Sequence, residues 1–475
     1  MRQVFSRIGM MVSAGTLMLV LTGLAGPARA EPVSDDTTAV VHPDRQIADA
    51  NTPRETLTQA PDDISRQLAQ DAKYKYALFP MSGLDRLRWS YKSAKDMLYK
   101  QYGLSFGLFY TALYQQASGA VLNPLLGAGV SRGSSGTAEL LAKWELVGRD
   151  TQHPGSLAFR LQNRHRYGTI VPQSLGLEVG SLWPTAVGYN EFRTSVVELY
   201  WEQHIVKDRV AFRVGKMIPF AIHDYFKMKS PVSAFTNATF TLNPSIAWVG
   251  FGLGAAALVR PHDDFYILAG TYDANGKATT SGFNTLFNQG ELLTIVDVGW
   301  DPGFINKQNQ VQIGPFTVSE YHLTFWHRDA LKNAGVPSGW GLTLFLENKI
   351  GNVLTFFRYG YSKGSSGGSP AILNHMIAAG IGIEQPFGRT SDLIGLGVSW
   401  GRRDLGTVAI DINADDIPDP IVLGNVDQWA TELFYRVQVT PEIQVTPSVQ
   451  LIINPAFNPD KNMVGVFGIR ARAEF

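Results

Sequence analysis

The 475-residue chain contains no cysteine, which excludes disulfide bonds, iron–sulfur clusters and cysteine-ligated zinc. Its nine histidines show no metal-ligand spacing such as H-E-x-x-H. It also lacks a net charge, because 41 basic residues balance 41 acidic residues, and a nucleic-acid partner is therefore not indicated. We expect no metal, no cofactor and no nucleic acid.

Long hydrophobic runs are also scarce, and the clearest one lies at the N-terminus. Ile8 to Leu24 carries no charge, follows Arg2 and Arg7, and precedes the small-x-small sequence Ala-Arg-Ala at 28–30. This pattern is typical of a secretory signal peptide cleaved after Ala30; a retained membrane anchor is the alternative, but the run is short and ends in a processing site. No later segment has the uncharged length that a spanning helix requires. The exported chain is therefore either soluble or a membrane β-barrel.

Two segments precede the main body of the chain. Residues 31–80 are polar, contain several prolines and show no steady period, which predicts a mobile N-terminal segment in the periplasm. Residues 81–103 place apolar side chains at helical spacing, and Gly103 stands where a C-cap is expected. We expect one short amphipathic helix there, either an exposed spacer or a functional plug.

From Leu104 to Phe475 the apolar residues recur with a period of two, which is the period of a β-strand. We count about sixteen such segments, most of them close to the ~9–11 residues that a tilted strand needs to cross a bilayer. In the last segment, Arg470, Arg472 and Glu474 alternate with Met463, Phe467, Ile469, Ala471, Ala473 and Phe475. In the fourth, Glu198, Tyr200, Glu202 and His204 are expected to face opposite to Val197, Leu199, Trp201 and Ile205.

The links between these segments alternate in length. Short links are predicted after even-numbered strands, at 207–208, 261–263, 351–352, 388–390 and 440–441, although the link at 301–315 is longer. Long links rich in Gly, Ser, Pro and Asn follow odd-numbered strands, at 117–136, 168–194, 218–245, 274–291 and 404–427. Short inner turns and long outer loops are typical of an outer-membrane barrel, whereas a soluble sandwich has no reason to sort its loops in this way.

The charged faces decide between lipid and water as their surroundings. Turning Arg or Lys towards lipid near the bilayer centre costs ~2–4 kcal/mol each, so these faces must line a wet lumen. A closed barrel also pairs every backbone donor and acceptor without leaving an edge. The sequence therefore predicts an all-β protein: a transmembrane antiparallel β-barrel of about 16 strands at 104–475, with a short N-terminal helix and a polar leader, in contact with outer-membrane lipids. The terminal Phe475 resembles the closing strand of bacterial outer-membrane proteins.

Several stretches resemble the carbohydrate-selective porin family of Gram-negative bacteria, the OprB type. They are "ELYWEQ" at 198–203, "RVAFRVGKM" at 209–217, "ALVRPHDDFYILAGTYDANG" at 257–276 and "PSVQLIINP" at 447–455. The match runs from about Gly103 to Phe475. It implies a sixteen-stranded barrel through which small sugars diffuse across the outer membrane; the oligomeric state, monomer or trimer, stays open.

The register also predicts which side chains face the lumen. Sugars need planar donors, carboxylate acceptors and aromatic platforms, and the predicted lumen offers all three. The predicted lumen and substrate-path residues are Arg160, Arg164, Arg166, Glu198, Glu202, Arg213, Trp248, Glu320, Trp326, Arg358, Glu432, Arg436, Arg470 and Arg472. Each one taken alone is explained better as a member of a structural interior salt bridge, so the functional interpretation belongs to the set. The link 218–245, with Phe220, His223 and Asn237, is our candidate for an inward-folding loop.

Two other functions are alternatives to a carbohydrate channel. A channel for other small solutes, such as organic acids or phosphate, has the same architecture. A barrel enzyme needs a nucleophile at the rim, and the G-x-S-x-G match at 397–401 instead places Ser399 in the middle of a strand, outside the strand-turn-helix context of a hydrolase. No P-loop sequence occurs, so we expect a non-enzymatic channel with passive transport.

Overall fold

The computed structural model describes residues 57–58, 60–73, 75–119, 129–206, 209–365, 369–410, 419–458 and 460–475. For residues 405–410 and 419–425 it describes the backbone alone. The predicted signal peptide, residues 31–56 of the polar leader and the short link 207–208 lie outside the described residues.

Four α-helices occur in the described part of the chain: α1 (Ile64–Ala72), α2 (Asp85–Tyr102), α3 (Pro172–Glu178) and α4 (Ala238–Thr241). Asp63 caps α1, because its side chain accepts a hydrogen bond from the amide of Ser65 at 2.9 Å. Gly103 ends α2 in the left-handed region with φ +73°, as predicted for a C-cap. Among the described helices, none combines the length and apolar character needed to cross a membrane.

Sixteen long strands form the sheet, and they are numbered here in chain order. They are β1 (Leu104–Ala117), β2 (Arg132–Val147), β3 (Gly155–Arg166), β4 (Phe192–Val206), β5 (Val210–Met217), β6 (Gly252–His262), β7 (Phe265–Asp273), β8 (Leu292–Trp300), β9 (Phe316–Arg328), β10 (Gly339–Ile350), β11 (Val353–Gly364), β12 (His375–Glu384), β13 (Leu393–Ile410), β14 (Asp419–Gln438), β15 (Ile443–Ile453) and β16 (Met463–Glu474). A two-residue strand, Gln312–Ile313, pairs with the start of β9 inside the long link after β8.

The sheet closes on itself. Each strand pairs antiparallel with its sequence neighbours, and β16 pairs with β1 through contacts such as Ala471↔Ala112. Beyond the end of β16, Phe475 exchanges two backbone hydrogen bonds with Leu108, at 2.8 and 2.9 Å. The prediction of a sixteen-stranded antiparallel barrel is therefore confirmed, and the closed seam leaves no strand edge to be satisfied by lipid.

The alternating pattern sorts side chains between the two faces of the wall. On β16, Arg470 and Arg472 are buried inside, whereas Phe467 and Ile469 are about half exposed on the outer surface. Exposed apolar side chains of this kind, repeated around a closed sheet, form the band that contacts hydrocarbon. The interior consequently holds the charges that lipid would reject.

Two details of the strand prediction are wrong. Val197 was expected to face outwards, but a β-bulge breaks the pairing of β4 with β3 between Glu198 and Val196, and the extra residue turns Val197 inwards against Ile218 and Phe251. Within the link predicted at 404–427, residues 404–410 and 419–427 belong instead to β13 and β14, which stay paired as far as Ile410↔Asp419. Residues 407–410, Thr-Val-Ala-Ile, include three β-branched side chains. These favour a strand despite the polar residues that follow.

The described end of the predicted polar leader also differs from the expectation of a segment outside the barrel. Leu57, Ala60, Ile64 and Leu68 are buried, and they share one apolar cluster with inward-facing wall residues such as Leu141. An amphipathic turn and helix therefore lie within the barrel interior, where α1 buries its apolar stripe against the wall.

Candidate functional site: the barrel lumen

The wall formed by β2 to β5 carries a buried network of charges. Glu202 binds two cations, Lys143 at 2.9 Å and Arg213 at 2.6 Å. On the same strand as Glu202, Glu198 pairs with Arg160 at 2.7 Å. Ion pairs in such a dry location are maintained only when each charge has a partner, since a lone buried charge is strongly destabilising.

The network continues to the seam of the barrel. Glu139 accepts a hydrogen bond from Gln162 at 2.9 Å and lies 3.7 Å from Arg160 and 3.8 Å from Arg472. Arg472 in turn binds Glu474 at 2.8 Å. We call these strand residues the wall network; its basic members are Lys143, Arg160, Arg213 and Arg472, and its acidic members are Glu139, Glu198, Glu202 and Glu474. The two signs are equal in number, so this part of the lumen wall is neutral overall.

The segment between β5 and β6, residues 218–251, folds into the barrel and is called the inner loop. His223 joins it to the neighbouring part of the wall, because its two ring nitrogens lie 2.7 Å from Asp297 on β8 and 2.7 Å from the hydroxyl of Tyr272 on β7. All three side chains are buried. The loop is therefore anchored by polar bonds that water does not reach.

A second anchor joins the inner loop to β11. Asp224 pairs with Arg358 and lies 3.5 Å from His322 on β9. Burial alone would raise the pKa of Asp224, but Arg358 and His322 lower it to about 2, so the carboxylate stays ionised. The nearby Lys229 donates to the backbone carbonyls of Phe220 and His223, and burial lowers its pKa to about 8.

A third anchor lies at the start of α4 within the same loop. Glu432 on β14 accepts hydrogen bonds from the backbone amides of Thr236 at 2.9 Å and Asn237 at 2.8 Å. The amide side chain of Asn237 also donates to Gln450 on β15 at 2.9 Å. Three parts of the barrel wall thus hold the inner loop across the lumen, and hydrogen bonds from several sides fix its conformation.

The family model described as carbohydrate-selective porin, OprB family, matches residues 155–475, which is more than half of the chain. This chain belongs to the carbohydrate-selective porin family. Family and fold together make it an outer-membrane porin of the Gram-negative type and point to a non-enzymatic channel.

This OprB-family porin is also similar to individual proteins. Porin AaxA of Chlamydia abortus is 24% identical over 336 residues, covering 69% of this chain and 67% of its own length. Porin AaxA of Chlamydia pneumoniae is 21% identical over 334 residues. The high pH structure of OprB from Pseudomonas putida superposes with a TM-score of 0.61 at 13% identity, over 81% of this chain and 97% of that one, which shows a shared fold.

Most of the predicted lumen residues of this porin lie in the barrel interior. The buried ones are Arg160, Glu198, Glu202, Arg213, Glu320, Trp326, Arg358, Glu432, Arg470 and Arg472. Two more are half-buried: Arg164, which donates to Asn190 at 2.5 Å, and Arg436, which donates to the carbonyl of Ser233 at 3.1 Å. The structure brings Arg160, Glu198, Glu202, Arg213 and Arg472 together in the wall network.

Three predicted residues of the porin do not present a free side chain to the lumen. Arg166 is exposed at the rim, 3.6 Å from Glu191. Trp248 belongs to the inner loop rather than to a strand, and the Lys229 ammonium lies 5.6 Å from its ring centre. Trp326 packs into the apolar interior cluster. Neither tryptophan offers the free stacking face that the sequence pattern indicates.

Sequence reasoning left some interior residues of the porin out of the predicted site. Glu139 and Lys143 stand on the polar face of a correctly predicted strand, so the period of two was sufficient to include them. Asp63 and Asp224 lie in segments without a period, and their partners Arg213 and Arg358 are far away in the sequence. No local signal identifies such pairs.

The G-x-S-x-G motif is part of the wall. Ser399 lies within β13 and its hydroxyl lies 2.8 Å from that of Thr239 in the inner loop, which is a structural bond rather than a hydrolase elbow. Within the described part of the chain, no group of three or more His, Asp or Glu side chains is arranged to hold a metal ion.

Proposed function

We propose that this porin supports passive, weakly selective diffusion of small carbohydrates through a charged lumen that also carries aromatic side chains. A sugar presents hydroxyl groups that both donate and accept hydrogen bonds, and guanidinium and carboxylate groups side by side serve both roles. Binding at each position must stay weak, since tight binding would slow the exit of the solute. The cellular source of the driving force is then the sugar gradient alone.

The observation that supports this proposal best is the balance of the wall network. A wall with equal numbers of buried cations and carboxylates attracts neither anions nor cations as a class, whereas it can hydrogen-bond a neutral polyol at many points. The match to the carbohydrate-selective family model agrees with this interpretation. The proposed solute path comprises the interior residues of the predicted set. We also propose that the chain is exported by a signal peptide that is cleaved after Ala30.

Liposome swelling tests the proposal directly. Purified porin is reconstituted, and the rates of entry of glucose, a disaccharide and gluconate are compared. We expect glucose to enter fastest, because it is neutral and small. Entry of gluconate ahead of glucose would contradict the carbohydrate proposal.

Variants of one wall residue add a residue-level test. Arg160→Ala removes a donor from the wall network and should change the ratio of glucose to disaccharide entry. Arg193→Ala is the control, because Arg193 is an exposed arginine at the start of β4. Equal ratios in both variants and the wild type would remove Arg160 from the solute path.

A channel for organic acids is the second candidate, and one observation favours it. Arg436 and Arg470 donate hydrogen bonds to backbone carbonyls, and no described carboxylate oxygen lies within ion-pair distance of either guanidinium. Cations of this kind attract anionic solutes. The swelling assay separates the two candidates, since a rate for gluconate that falls in Arg470→Gln and Arg436→Gln would support the acid channel.

A further inference from the structure

The segment formed by α1 and the turn before it occupies the lumen at the level of the wall network. We call the described residues of this segment, 57–58 and 60–73, the N-terminal plug. Its apolar side chains Leu57, Ala60, Ile64 and Leu68 pack within the interior cluster. An α-helix with its side chains is about 10 Å or more in diameter, which is enough to block a barrel interior already narrowed by a loop.

Polar groups of the plug bind the basic members of the wall network one by one. Asp63 pairs with Arg213, and the carbonyl of Asp62 accepts a hydrogen bond from Arg160 at 2.7 Å. Lys143 donates to the hydroxyl of Ser65 at 3.0 Å. Arg472 donates to the side chain of Gln67 at 3.1 Å. The plug therefore contacts the residues that solutes are proposed to meet.

The inner loop covers the other side of the plug. Ser230 donates a hydrogen bond to Asp62 at 2.6 Å, and Asp62 and Ser230 are both buried. The plug is thus held between the wall network on one side and the inner loop on the other.

The wall network does not depend on the plug for its charge balance. Arg160 retains Glu198, Arg213 retains Glu202, and Lys143 also retains Glu202 if the plug is withdrawn. By contrast, the plug keeps a buried Asp62 oxygen, Oδ2, without a hydrogen-bond partner among the described residues. When the plug is released, that oxygen can be hydrated and every basic residue of the wall network keeps an acidic partner. The lumen without the plug is therefore a second state in which the buried charges are paired.

From this arrangement we propose that residues 57–73 form a removable plug, which closes the lumen in the structure and leaves it when solutes cross. The proposal extends the proposed function, because it assumes that the lumen is the solute path. It does not depend on which solutes are preferred, and ion conductance therefore tests it separately from sugar selectivity.

Single-channel recording in a planar bilayer with potassium chloride as the probe is the primary experiment. Deletion of residues 57–73 should raise the mean conductance several-fold and abolish long closed intervals. Asp63→Asn and Gln67→Ala each weaken a bond to a charged wall residue and should raise the open fraction roughly tenfold. A deletion variant that inserts but conducts like the wild type would overturn the proposal.

The chain offers matched controls on the same helix. Asp71 pairs with Lys95 of α2 rather than with the wall, and Gln70 is exposed. Asp71→Asn and Gln70→Ala should therefore leave the open fraction as in the wild type. If they raise it as much as Asp63→Asn and Gln67→Ala do, the specific wall contacts are not what closes the lumen.

A labelling experiment on the full-length chain covers the case in which the deletion variant fails to insert. Because the chain has no cysteine, Ser65→Cys introduces a single thiol inside the lumen, and Ser82→Cys introduces one at an exposed site. A bulky water-soluble thiol reagent should modify Ser65→Cys much more slowly and then hold the conductance high, because the modified plug no longer fits. Equal labelling rates, or no conductance change after complete labelling, would contradict a removable plug.

The outcomes distinguish this proposal from the proposed function. A deletion variant that conducts ions freely but excludes glucose would support the plug and contradict carbohydrate transport. A wild-type porin that admits glucose at the same rate as the deletion variant would support transport and contradict the plug.

Discussion

At the scale of single residues, the lumen depends on charges that are shared rather than paired one to one. Glu202 is the clearest case, because one buried carboxylate serves both Lys143 and Arg213. Low surrounding polarity strengthens each of these bonds and raises the cost of losing one. A neutral replacement at this position therefore affects two cations together.

Glu202→Gln should destabilise the folded barrel by about 3–5 kcal/mol, because Lys143 and Arg213 lose the carboxylate that they share and stay buried. The measurement is unfolding in urea after reconstitution, monitored by tryptophan fluorescence. Glu191→Gln is the control, since Glu191 is half exposed and meets Arg166 only at the rim; it should cost under ~1 kcal/mol. Similar losses in the two variants would mean that burial does not set the strength of these pairs.

At the scale of elements, the position of the inner loop depends on the ionisation of Asp224, which pairs with Arg358. The folded pKa of Asp224 is about 2, below its ordinary value of 3.8. A depressed carboxyl pKa adds stability above the ordinary value, and that stability is lost as the pH falls through the folded pKa. The anchor between the inner loop and Arg358 should therefore weaken between about pH 4 and pH 2 and hold at higher pH.

Single-channel recording across that pH range checks this expectation. In the wild type, current noise from a loosened loop should increase as the pH falls towards 2. Asp224→Asn lacks the carboxyl group that titrates at the anchor and should show raised noise at every pH, without this step. A step of the same size in Asp224→Asn would assign it to other carboxyl groups.

The strands and α2 were predictable from the sequence, whereas the interior segments were not. Period-two alternation fixes which face of β16 holds Arg470, because one face must meet lipid and the other water. A bulge at Val197 depends on the neighbouring strand and leaves no mark in the period. The inner loop and the plug follow from bonds such as that between Asp62 and Ser230, which join residues too distant in sequence for any local pattern to reveal.

At the scale of the whole molecule, closure makes the first and last strands neighbours. Phe475 extends the pairing of β16 with β1 through its two backbone hydrogen bonds to Leu108. The seam joins residues between 349 and 365 positions apart, so its pairing is the least local in the sheet and should form late in folding. Its outermost bonds belong to the terminal residue.

Deletion of Phe475 removes both of these bonds and should lower barrel stability by about 1–3 kcal/mol while slowing assembly. The yield of heat-modifiable, protease-resistant barrel in outer-membrane fractions measures the effect. Phe475→Tyr keeps the backbone bonds and the aromatic ring and should assemble like the wild type. Normal assembly of the deletion variant would show that the seam does not need its last pair.

The short connection after α1 has a consequence for how long the lumen could stay open. Leu78 and Phe79 donate backbone hydrogen bonds to Gln438 and Val439 at the turn between β14 and β15. The stretch from Lys73 to Leu78 reaches at most about 17 Å when extended. A released α1 therefore remains tethered close to the barrel opening at the turn between β14 and β15. Its local concentration there is then on the order of millimolar, and reclosure is a first-order event whose rate is independent of how many copies the membrane holds.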